Sequence, residues 1–304
     1  MKEVRRVKTI NEYHKTRNLP PPHHPLISVV NFADLQVLPE ISTVNWLFDF
    51  FSISLKRNIC GKIRYGQLQY DFDEGVMSFI APGQVFGIEA PREPIAERSG
   101  YLLLVHPDFL WNTSLAKTIK QYQFFDYAVN EALFLSDKEE NIILSILENI
   151  RQESHANIDK FSQNIIISQI ETLLNYSERF YQRQFITRKV TNHKILDRLE
   201  QLLNGYFNSE SITGKGLPSV QFITQELNIS ASYLSGLLKS LTGQSTQQHI
   251  QNYVLEKAKE KLSTTELSVS EIAYELGFGH SQSFSKFFKT KTNTSPSAFR
   301  QSYN

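Results

Sequence analysis

The sequence has a single cysteine, no long apolar run and almost no net charge, and each absence excludes a class of protein. With only Cys60 among 304 residues, neither an internal disulfide nor a cysteine-rich metal site can form. No stretch approaches the ~20 consecutive apolar residues of a transmembrane helix. No apolar segment follows the basic N-terminus, so a secretory signal is not expected. These absences predict a cytoplasmic protein with no membrane contact.

Charge is distributed unevenly along the chain, although the net charge is only +1. From Arg188 to Asn304 there are 13 Lys and Arg against 9 Asp and Glu, whereas the preceding residues carry 19 against 22. A mildly basic end behind a mildly acidic beginning is compatible with nucleic-acid binding at the C-terminal end.

The first half of the sequence predicts a β domain behind a loosely structured arm at residues 1–25. The arm ends in a proline-rich stretch, PPPHHP, which favours extended backbone. From about Leu26 to Val105, short apolar runs alternate with turn signals such as Asp73-Glu74-Gly75, Ala81-Pro82-Gly83 and Pro91 to Pro94. This pattern is typical of a small barrel or sandwich.

Two amphipathic helices are predicted next, at 137–153 and 161–181, from apolar residues at 3–4 spacing. They could pack on the β domain, on each other or on a second copy of the chain, and we expect a homodimer. The polar segment Gln182 to Val190 predicts the domain boundary. The expected domains are therefore 1–187 and 188–304, and the fold class is α+β with an all-α C-terminal domain.

The C-terminal hundred residues contain an internal repeat. ITQELNI at 223–229 corresponds to IAYELGF at 272–278, an offset of 49. LSGLLK at 234–239 corresponds to FSKFFK at 284–289, an offset of 50. A sustained offset indicates two copies of one supersecondary unit. Each copy predicts a helix, a tight turn and a second helix, at about 219–241 and 268–290.

Local signals define the two turns. Gly277 and Asn228 tolerate a positive φ at equivalent positions. Ser268 with Glu271 forms a capping-box pattern, Ser230 is the expected cap of the next helix in the first copy, and His280 or Ser281 in the second. Each copy is therefore predicted to be a helix-turn-helix unit.

The second helix of each copy has an outer stripe without acidic residues. The stripes combine Ser232, Ser235, Gly236 and Lys239 in the first copy with Gln282, Ser285, Lys286 and Lys289 in the second. Any amphipathic helix has a polar outer face, but Gln, Lys and Ser can all bond to base edges in a major groove. A predicted connector helix from Thr246 to Leu262 would span about 25 Å. Such a helix suits two recognition helices one DNA turn apart, about 34 Å.

The segment from about Leu217 to Tyr303 resembles the DNA-binding domain of the AraC/XylS family of bacterial transcription regulators. The residues that carry the resemblance are SASYLSGLLKSLTGQS at 230–245, SVSEIAYELGFGHSQSFSKFFK at 268–289 and TNTSPSAFR at 292–300. The resemblance implies two helix-turn-helix units on double-stranded DNA. It implies base contacts from the following residues: Ser232, Ser235 and Gly236 in the first unit, and Ser281, Gln282, Ser285 and Lys286 in the second.

One position departs from the family pattern. Gly236 stands where many relatives carry Arg, and a glycine has no side chain with which to contact a base. We therefore expect the second unit, with Lys286, to dominate specificity. Lys239 and Lys289 are assigned to phosphates.

The β domain bears a weaker resemblance, through MSFIAPGQ at 77–84, to the cupin-like barrels that bind an effector or dimerise in this family. A catalytic cupin needs clustered histidines, and none lies between Pro25 and Val105. No enzymatic role and no cofactor are expected. An apolar ligand pocket could be lined by the following aromatic residues, although plain core packing is the alternative: Trp46, Phe48, Phe50, Tyr65, Phe79 and Phe86.

Three functions remain open from the sequence. The first is a DNA-binding regulator with a small-molecule effector and RNA polymerase as a partner. The second is a regulator without a ligand, whose N-terminal domain binds only itself or another protein. The third, an enzyme with an accessory DNA-binding domain, is disfavoured by the missing ligand cluster.

Overall fold

The computed structural model describes residues 3–36, 43–57, 63–65, 68–70, 75–87, 99–127, 131–156, 159, 161–187, 189–208 and 216–302. The strands are β1 Val4–Val7, β2 Ile27–Asn31, β3 Asn45–Phe48, β4 Phe51–Arg57, β5 Ile63–Tyr65, β6 Leu68–Tyr70, β7 Val76–Ile80, β8 Val85–Gly87, β9 Ser99–Val105 and β10 Leu133–Phe134. The helices are α1 Ile10–Thr16, α2 Leu115–Thr118, α3 Asp137–His155, α4 Ser162–Thr187, α5 Lys189–Asn208, α6 Val220–Leu227, α7 Ala231–Thr242, α8 Thr246–Thr264, α9 Val269–Glu275, α10 Ser281–Thr292 and α11 Pro296–Gln301.

The chain divides into two compact units, Met1–Gln184 and Phe185–Asn304, which we call the N-terminal and C-terminal units. The division falls within α4. All ten strands of the described residues lie in the N-terminal unit, whereas the described residues of the C-terminal unit form helices joined by turns and contain no strand.

Eight of the ten described strands of the N-terminal unit form two sheets. One has the strand order β10-β7-β4-β9-β2 and is antiparallel throughout, and the other has the order β1-β3-β8. β5 and β6 form a separate antiparallel pair. Among the described strands these are open sheets, and no closed barrel is found, so the barrel alternative in the sequence prediction is not supported. The turns expected at 73–74 and 91–94 lie outside the described residues.

A core cluster contains side chains from both sheets and explains the pattern of apolar residues in their strands. Leu102 and Leu104 of β9 join this cluster, while Leu103 and Val105 alternate to the other face and are also buried. A strand covered on both faces is expected to be an unbroken apolar run, as LLLV is. The remaining members of the cluster come from β1, α1, β2, β3, β7, β8 and the adjoining loops: Val7, Ile10, Tyr13, Val30, Leu35, Trp46, Phe48, Phe50, Ile80 and Phe86.

The prediction of a loosely structured arm at residues 1–25 was wrong for two segments, which form β1 and α1. β1 pairs in parallel with β3, and α1 begins at the N-cap Thr9, whose side chain accepts from the Glu12 N–H. Ile10 and Tyr13 lie three residues apart and are both buried. The sequence signal was missed because a four-residue strand depends on its distant partner more than on its own composition.

The polar segment at 182–190, which the sequence predicts as the domain boundary, is helical at its described residues. α4 continues to Thr187, and α5 begins at Lys189. Gln184 is only 2% exposed, and its side chain accepts from the Phe134 N–H at 2.8 Å. Arg183 pairs with Glu139 at 2.6 Å. These polar residues therefore fix the end of α4 to β10 and α3. The predicted helices at 137–153 and 161–181 are confirmed and extended by α3 and α4.

Candidate nucleic-acid interface

The first helix-turn-helix unit consists of α6 and α7. The Ser219 side chain accepts from the Phe222 N–H and begins α6, and the Ser230 side chain accepts from the Tyr233 N–H and begins α7. Between the helices, Asn228 has φ 57°, the left-handed conformation that was predicted for it. The turn is thus determined by local residue types.

The second unit consists of α9 and α10 and has the same architecture. The Ser268–Glu271 capping box is present, and the Ser268 N–H lowers the pKa of the Glu271 carboxyl by donating to it at 2.7 Å. Gly277 has φ 84°, and a Cβ there would lie 2.5 Å from the Gly216 carbonyl oxygen. The turn therefore requires glycine for both conformation and space. His280 is the N-cap of α10, but its side chain makes no capping hydrogen bond, contrary to one of the two caps expected.

The connector helix α8 joins the two helix-turn-helix units, which both lie in the C-terminal unit. Its 19 residues correspond to about 28 Å. A capping box of Ser245 and Gln248 begins the helix, and the predicted inner residues are buried, as follows: Ile250, Val254, Ala258 and Leu262. At its other end, Lys261 pairs with Glu275 of α9 at 2.7 Å. This helix is therefore held to the second unit by both apolar and ionic contacts.

Arg300 is a structural residue that the sequence analysis did not single out. Its Nη2 donates to the Leu267 carbonyl at 2.6 Å, and its Nε donates to the Leu262 carbonyl at 3.2 Å. The guanidinium thus bridges the end of α8 and the segment that leads into α9. Its position in the motif TNTSPSAFR was the only signal for this role.

The outer stripe of the second recognition helix, α10, is open to solvent. Gln282, Lys286 and Lys289 are exposed, and Ser281 and Ser285 are half-buried. Their side chains make no hydrogen bond or ion pair to any other described residue. Phe284 and Phe288 are fully buried on the opposite side, as the sequence predicts. The stripe offers amide, hydroxyl and ammonium groups and no carboxylate, a set that can bond to base edges and phosphates.

The outer stripe of the first recognition helix, α7, is less accessible. Lys239 is exposed, but Ser232 and Ser235 are only half-exposed. Gly236 occupies an outer-stripe position by the helical period, but it is buried and has no side chain to present. The two stripes therefore differ in exposure at two of their four equivalent positions, 232 against 282 and 236 against 286, and agree at the other two.

The aromatic residues proposed as a ligand pocket do not form one group. Trp46, Phe48, Phe50 and Phe86 belong to the core cluster, with Phe48 stacked on Phe50 at 4.8 Å between ring centroids. Phe79 lies apart from them, against Phe124 at 4.4 Å, and also contacts Phe125 and Tyr181. The side chain of Tyr65 lies outside the described residues. The first four are packed on one another, as a core requires.

Histidines in the N-terminal unit are dispersed. His14 is buried, its Nε2 lies 3.0 Å from the Ser28 hydroxyl, and burial lowers its pKa. The His23 and His155 rings are in contact, with centroids 4.0 Å apart. Across the described positions, no group of three or more His, Cys, Asp or Glu side chains could hold a metal ion. No helix of that part of the chain is long and apolar enough to cross a bilayer.

Comparison with known proteins identifies the C-terminal unit. Residues 223–302 match a family model described as a helix-turn-helix domain. An uncharacterized HTH-type transcriptional regulator, YfiF of Bacillus subtilis (strain 168), is 32% identical over 151 residues, 48% of this chain and 43% of that protein. The HTH-type transcriptional activator RhaS of Salmonella arizonae is 37% identical over 79 residues, 26% of this chain and 28% of that protein.

A solved structure, the C-terminal domain of AraT, a response regulator from Geobacillus stearothermophilus, is 30% identical and covers 36% of this chain and 84% of that chain, with a TM-score of 0.31. The matched segment and its two turns define a helix-turn-helix domain. The C-terminal part of this chain contains a helix-turn-helix domain of the AraC/XylS type. The chain spans less than half the length of both curated relatives named above.

Proposed function

We propose that the chain is a sequence-specific DNA-binding transcription regulator whose two helix-turn-helix units contact successive major grooves. The observation that carries this proposal is the duplicated unit, with an acid-free stripe on each recognition helix and α8 between them. α8 is about 28 Å long, and the centres of two successive groove contacts are about 34 Å apart. The two lengths are compatible because the width of the recognition helices adds to the length of α8. The family contains transcription regulators, and the proposal includes no enzymatic step.

Each stripe residue has a proposed role in this function. Gln282 suits adenine, Lys286 suits guanine, and Ser281 and Ser285 suit several base edges. Ser232 and Ser235 take the corresponding roles in the first helix-turn-helix unit. Lys239 and Lys289 lie one turn further along their helices and are assigned to phosphates.

For the N-terminal unit we propose control of the regulator through an effector or through self-association. In the family resemblance this role belongs to a cupin-like barrel, and the two packed sheets are compatible with a related sandwich. The alternative is a ligand-independent regulator that uses this unit only for dimerisation or for binding another protein. Tight packing of Trp46, Phe48, Phe50 and Phe86 favours the alternative for that group of residues. A homodimer, RNA polymerase and a cytoplasmic location are further parts of the proposal.

Selection of bound duplexes from a random DNA pool, with the full chain at physiological ionic strength, tests the proposed function. We expect a consensus with two tracts about one helical turn apart. Enrichment of no sequence, or equal affinity for the selected duplex and random duplex, would contradict it.

Lys286→Ala tests the assigned base contact. We expect a loss of ~1–3 kcal/mol on the selected duplex and relaxed specificity at one base pair. Lys289→Ala should weaken binding to all duplexes and lower the slope of log K against log salt by about one. Lys291→Ala is the matched control, because the helical period places this exposed lysine away from the stripe on the same helix. Equal losses on selected and random duplex would reduce Lys286 to a phosphate contact.

Effector control is tested by thermal unfolding of the full chain in the presence of candidate metabolites. A ligand at 100 times its dissociation constant stabilises the protein by about 2.7 kcal/mol. A stabilising metabolite that also changes DNA affinity supports effector control. The absence of stabilisation by any candidate metabolite favours the ligand-independent alternative, and stabilisation without a change in DNA affinity contradicts effector control by that metabolite.

A further inference from the structure

Arg17 is a buried cation without an acidic partner among the described residues. Its side chain lies at the C-terminal end of α1 and is only 8% exposed, and it is the one buried Lys or Arg among the side chains whose exposure is described. Its Nε is sealed from solvent and has no hydrogen-bond partner in that part of the chain. No described carboxylate forms an ion pair with the guanidinium. The described residues therefore leave this buried charge uncompensated.

A phenol lies beside the guanidinium and does not neutralise it. Tyr13, one turn earlier on α1, is 6% exposed, and its hydroxyl is in hydrogen-bonding contact with Arg17. Burial raises the pKa of Tyr13 to about 12, although the adjacent guanidinium by itself lowers it. The phenol is therefore neutral at physiological pH. Its ring packs edge to face on that of Phe48, at 5.6 Å between centroids, so Arg17 lies at the border of the core cluster.

The backbone on both sides of Arg17 is held in place. The Arg17 N–H donates to the Tyr13 carbonyl at 3.1 Å. Asn18 follows in the left-handed conformation, with φ 54°, and the Leu19 N–H then donates back to the His14 carbonyl at 2.9 Å. Leu19 packs against the core cluster. This local structure limits the positions that the guanidinium can reach.

The chemistry of this buried group suits an anionic ligand. Removing a charge from water is strongly unfavourable unless a partner of opposite sign is present. The planar guanidinium presents its N–H donors in a fork that matches the two oxygens of a carboxylate. Nε is the one guanidinium nitrogen of Arg17 that is both sealed and unpartnered. A carboxylate that binds the fork neutralises the charge and gives Nε the acceptor that it lacks.

We propose that Arg17 anchors a site for a small carboxylate in the N-terminal unit, at the border of the core cluster. This inference rests on the proposed effector control and names its ligand class. The site is distinct from the aromatic group considered above, whose rings are packed on one another, because the unsatisfied group is the guanidinium. Since Nε is sealed, binding requires the neighbouring side chains to move. Occupancy is thereby coupled to the packing of α1 on the core cluster.

Thermal unfolding of the full chain tests the site with defined probes. The probes are sodium acetate and sodium benzoate, compared with acetamide and benzamide as neutral isosteres, with inorganic phosphate, and with chloride at equal ionic strength. We expect a carboxylate at ten times its dissociation constant to raise the unfolding midpoint by about 3–5 °C, and the amides to leave it unchanged. Stabilisation by neither carboxylate beyond chloride would overturn the inference. Stabilisation by phosphate equal to that by the carboxylates would overturn the assignment to a carboxylate.

Substitutions on α1 connect the effect to one side chain. Arg17→Met should abolish the shift caused by the carboxylates, and it should not lower the midpoint in chloride, because it removes an uncompensated charge. Lys15→Met is the matched control, since Lys15 is an exposed cation on the same helix, and it should keep the full shift. An undiminished shift in Arg17→Met would overturn the inference.

Two further variants keep the test decisive. Arg17→Lys retains the charge and loses the fork, so the affinity for the carboxylates should fall about tenfold even if Arg17→Met fails to fold. An unchanged affinity would overturn the inference. Glu40 lies five residues after Leu35 of the core cluster and outside the described residues. Equal losses of stability in chloride for Arg17→Met and Glu40→Gln would indicate a partner within the chain and would also overturn it.

A DNA measurement separates this inference from the proposed function. We expect the stabilising carboxylate to change the affinity for the selected duplex at least threefold in the unsubstituted chain and not in Arg17→Met. Stabilisation that depends on Arg17, without any change in DNA affinity, would confirm the carboxylate site and contradict effector control. Normal sequence preference in DNA binding without stabilisation that depends on Arg17 would contradict the inference alone.

Discussion

Replacement of Arg300 by methionine should destabilise the C-terminal unit. The substitution keeps much of the apolar length of the side chain and removes both hydrogen bonds to the Leu262 and Leu267 carbonyls. Hydrogen bonds to a charged group contribute about 1.5–3 kcal/mol each, and the 3.2 Å contact is the weaker of the two. Because the side chain is only partly buried, water can replace part of this loss, and we expect about 2–3 kcal/mol in total.

Urea unfolding followed by circular dichroism measures this loss. With an m-value of about 2 kcal/mol per molar urea, the midpoint should fall by about 1–1.5 M at unchanged m. Lys291→Met is the control, because it removes an exposed cation from the same unit without a carbonyl contact and should change stability by less than ~0.5 kcal/mol. A loss for Arg300→Met as small as that of the control would refute the bridging role.

Three further predictions concern other places in the fold. Thr246 is 3% exposed and its hydroxyl has no hydrogen-bond partner among the described residues, so Thr246→Val should stabilise the chain by about 1 kcal/mol in urea unfolding, and a loss would refute this. Gly100 has φ +108° and an added Cβ would lie 2.0 Å from the Leu55 carbonyl oxygen, so Gly100→Ala should cost at least ~2 kcal/mol by the same assay, whereas a neutral result would contradict the strain. Hydrogen bonds from Arg151 lower the pKa of Glu148 from 4.5 to about 2, so its contribution to stability is complete above pH 4.5 and is lost as the pH falls towards 2; a carboxyl titration by NMR should show this, and Arg151→Met should return the pKa towards its ordinary value.

The C-terminal unit was predictable to within a few residues because its determinants are local. The serine caps, the left-handed Asn228 and the glycine at 277 lie next to the turns that they specify. The repeat then supplied independent support, since each copy tested the interpretation of the other. The inner faces of α8 and α10 followed from apolar spacing alone.

For the N-terminal unit, only the fold class could be predicted from the sequence. Strand segments followed from apolar runs, but the pairing of β1 with β3 depends on residues about forty positions apart. The helical end of α4 was missed because Arg183 and Gln184 form buried or partly buried bonds with distant residues. Within a short segment of sequence, two polar residues without visible partners resemble a solvated linker.

The accessibility of the candidate interface shows the same limit. Ser232 is half-buried, whereas Gln282, its counterpart in the repeat, is exposed. The helical period places both residues on an outer stripe, but the exposure of each side chain depends on neighbours that the period does not represent. Exposure of a recognition helix is thus a tertiary property, even where the helix itself is local.

The central claim is that two recognition helices of one chain contact successive major grooves. Guanine methylation interference on the selected duplex measures this most directly, because methylation at N7 blocks major-groove contacts base by base. We predict two clusters of interference about 10 base pairs apart, with Lys286→Ala removing interference from only one of them. A single cluster, or interference at no specific guanine, would contradict the account.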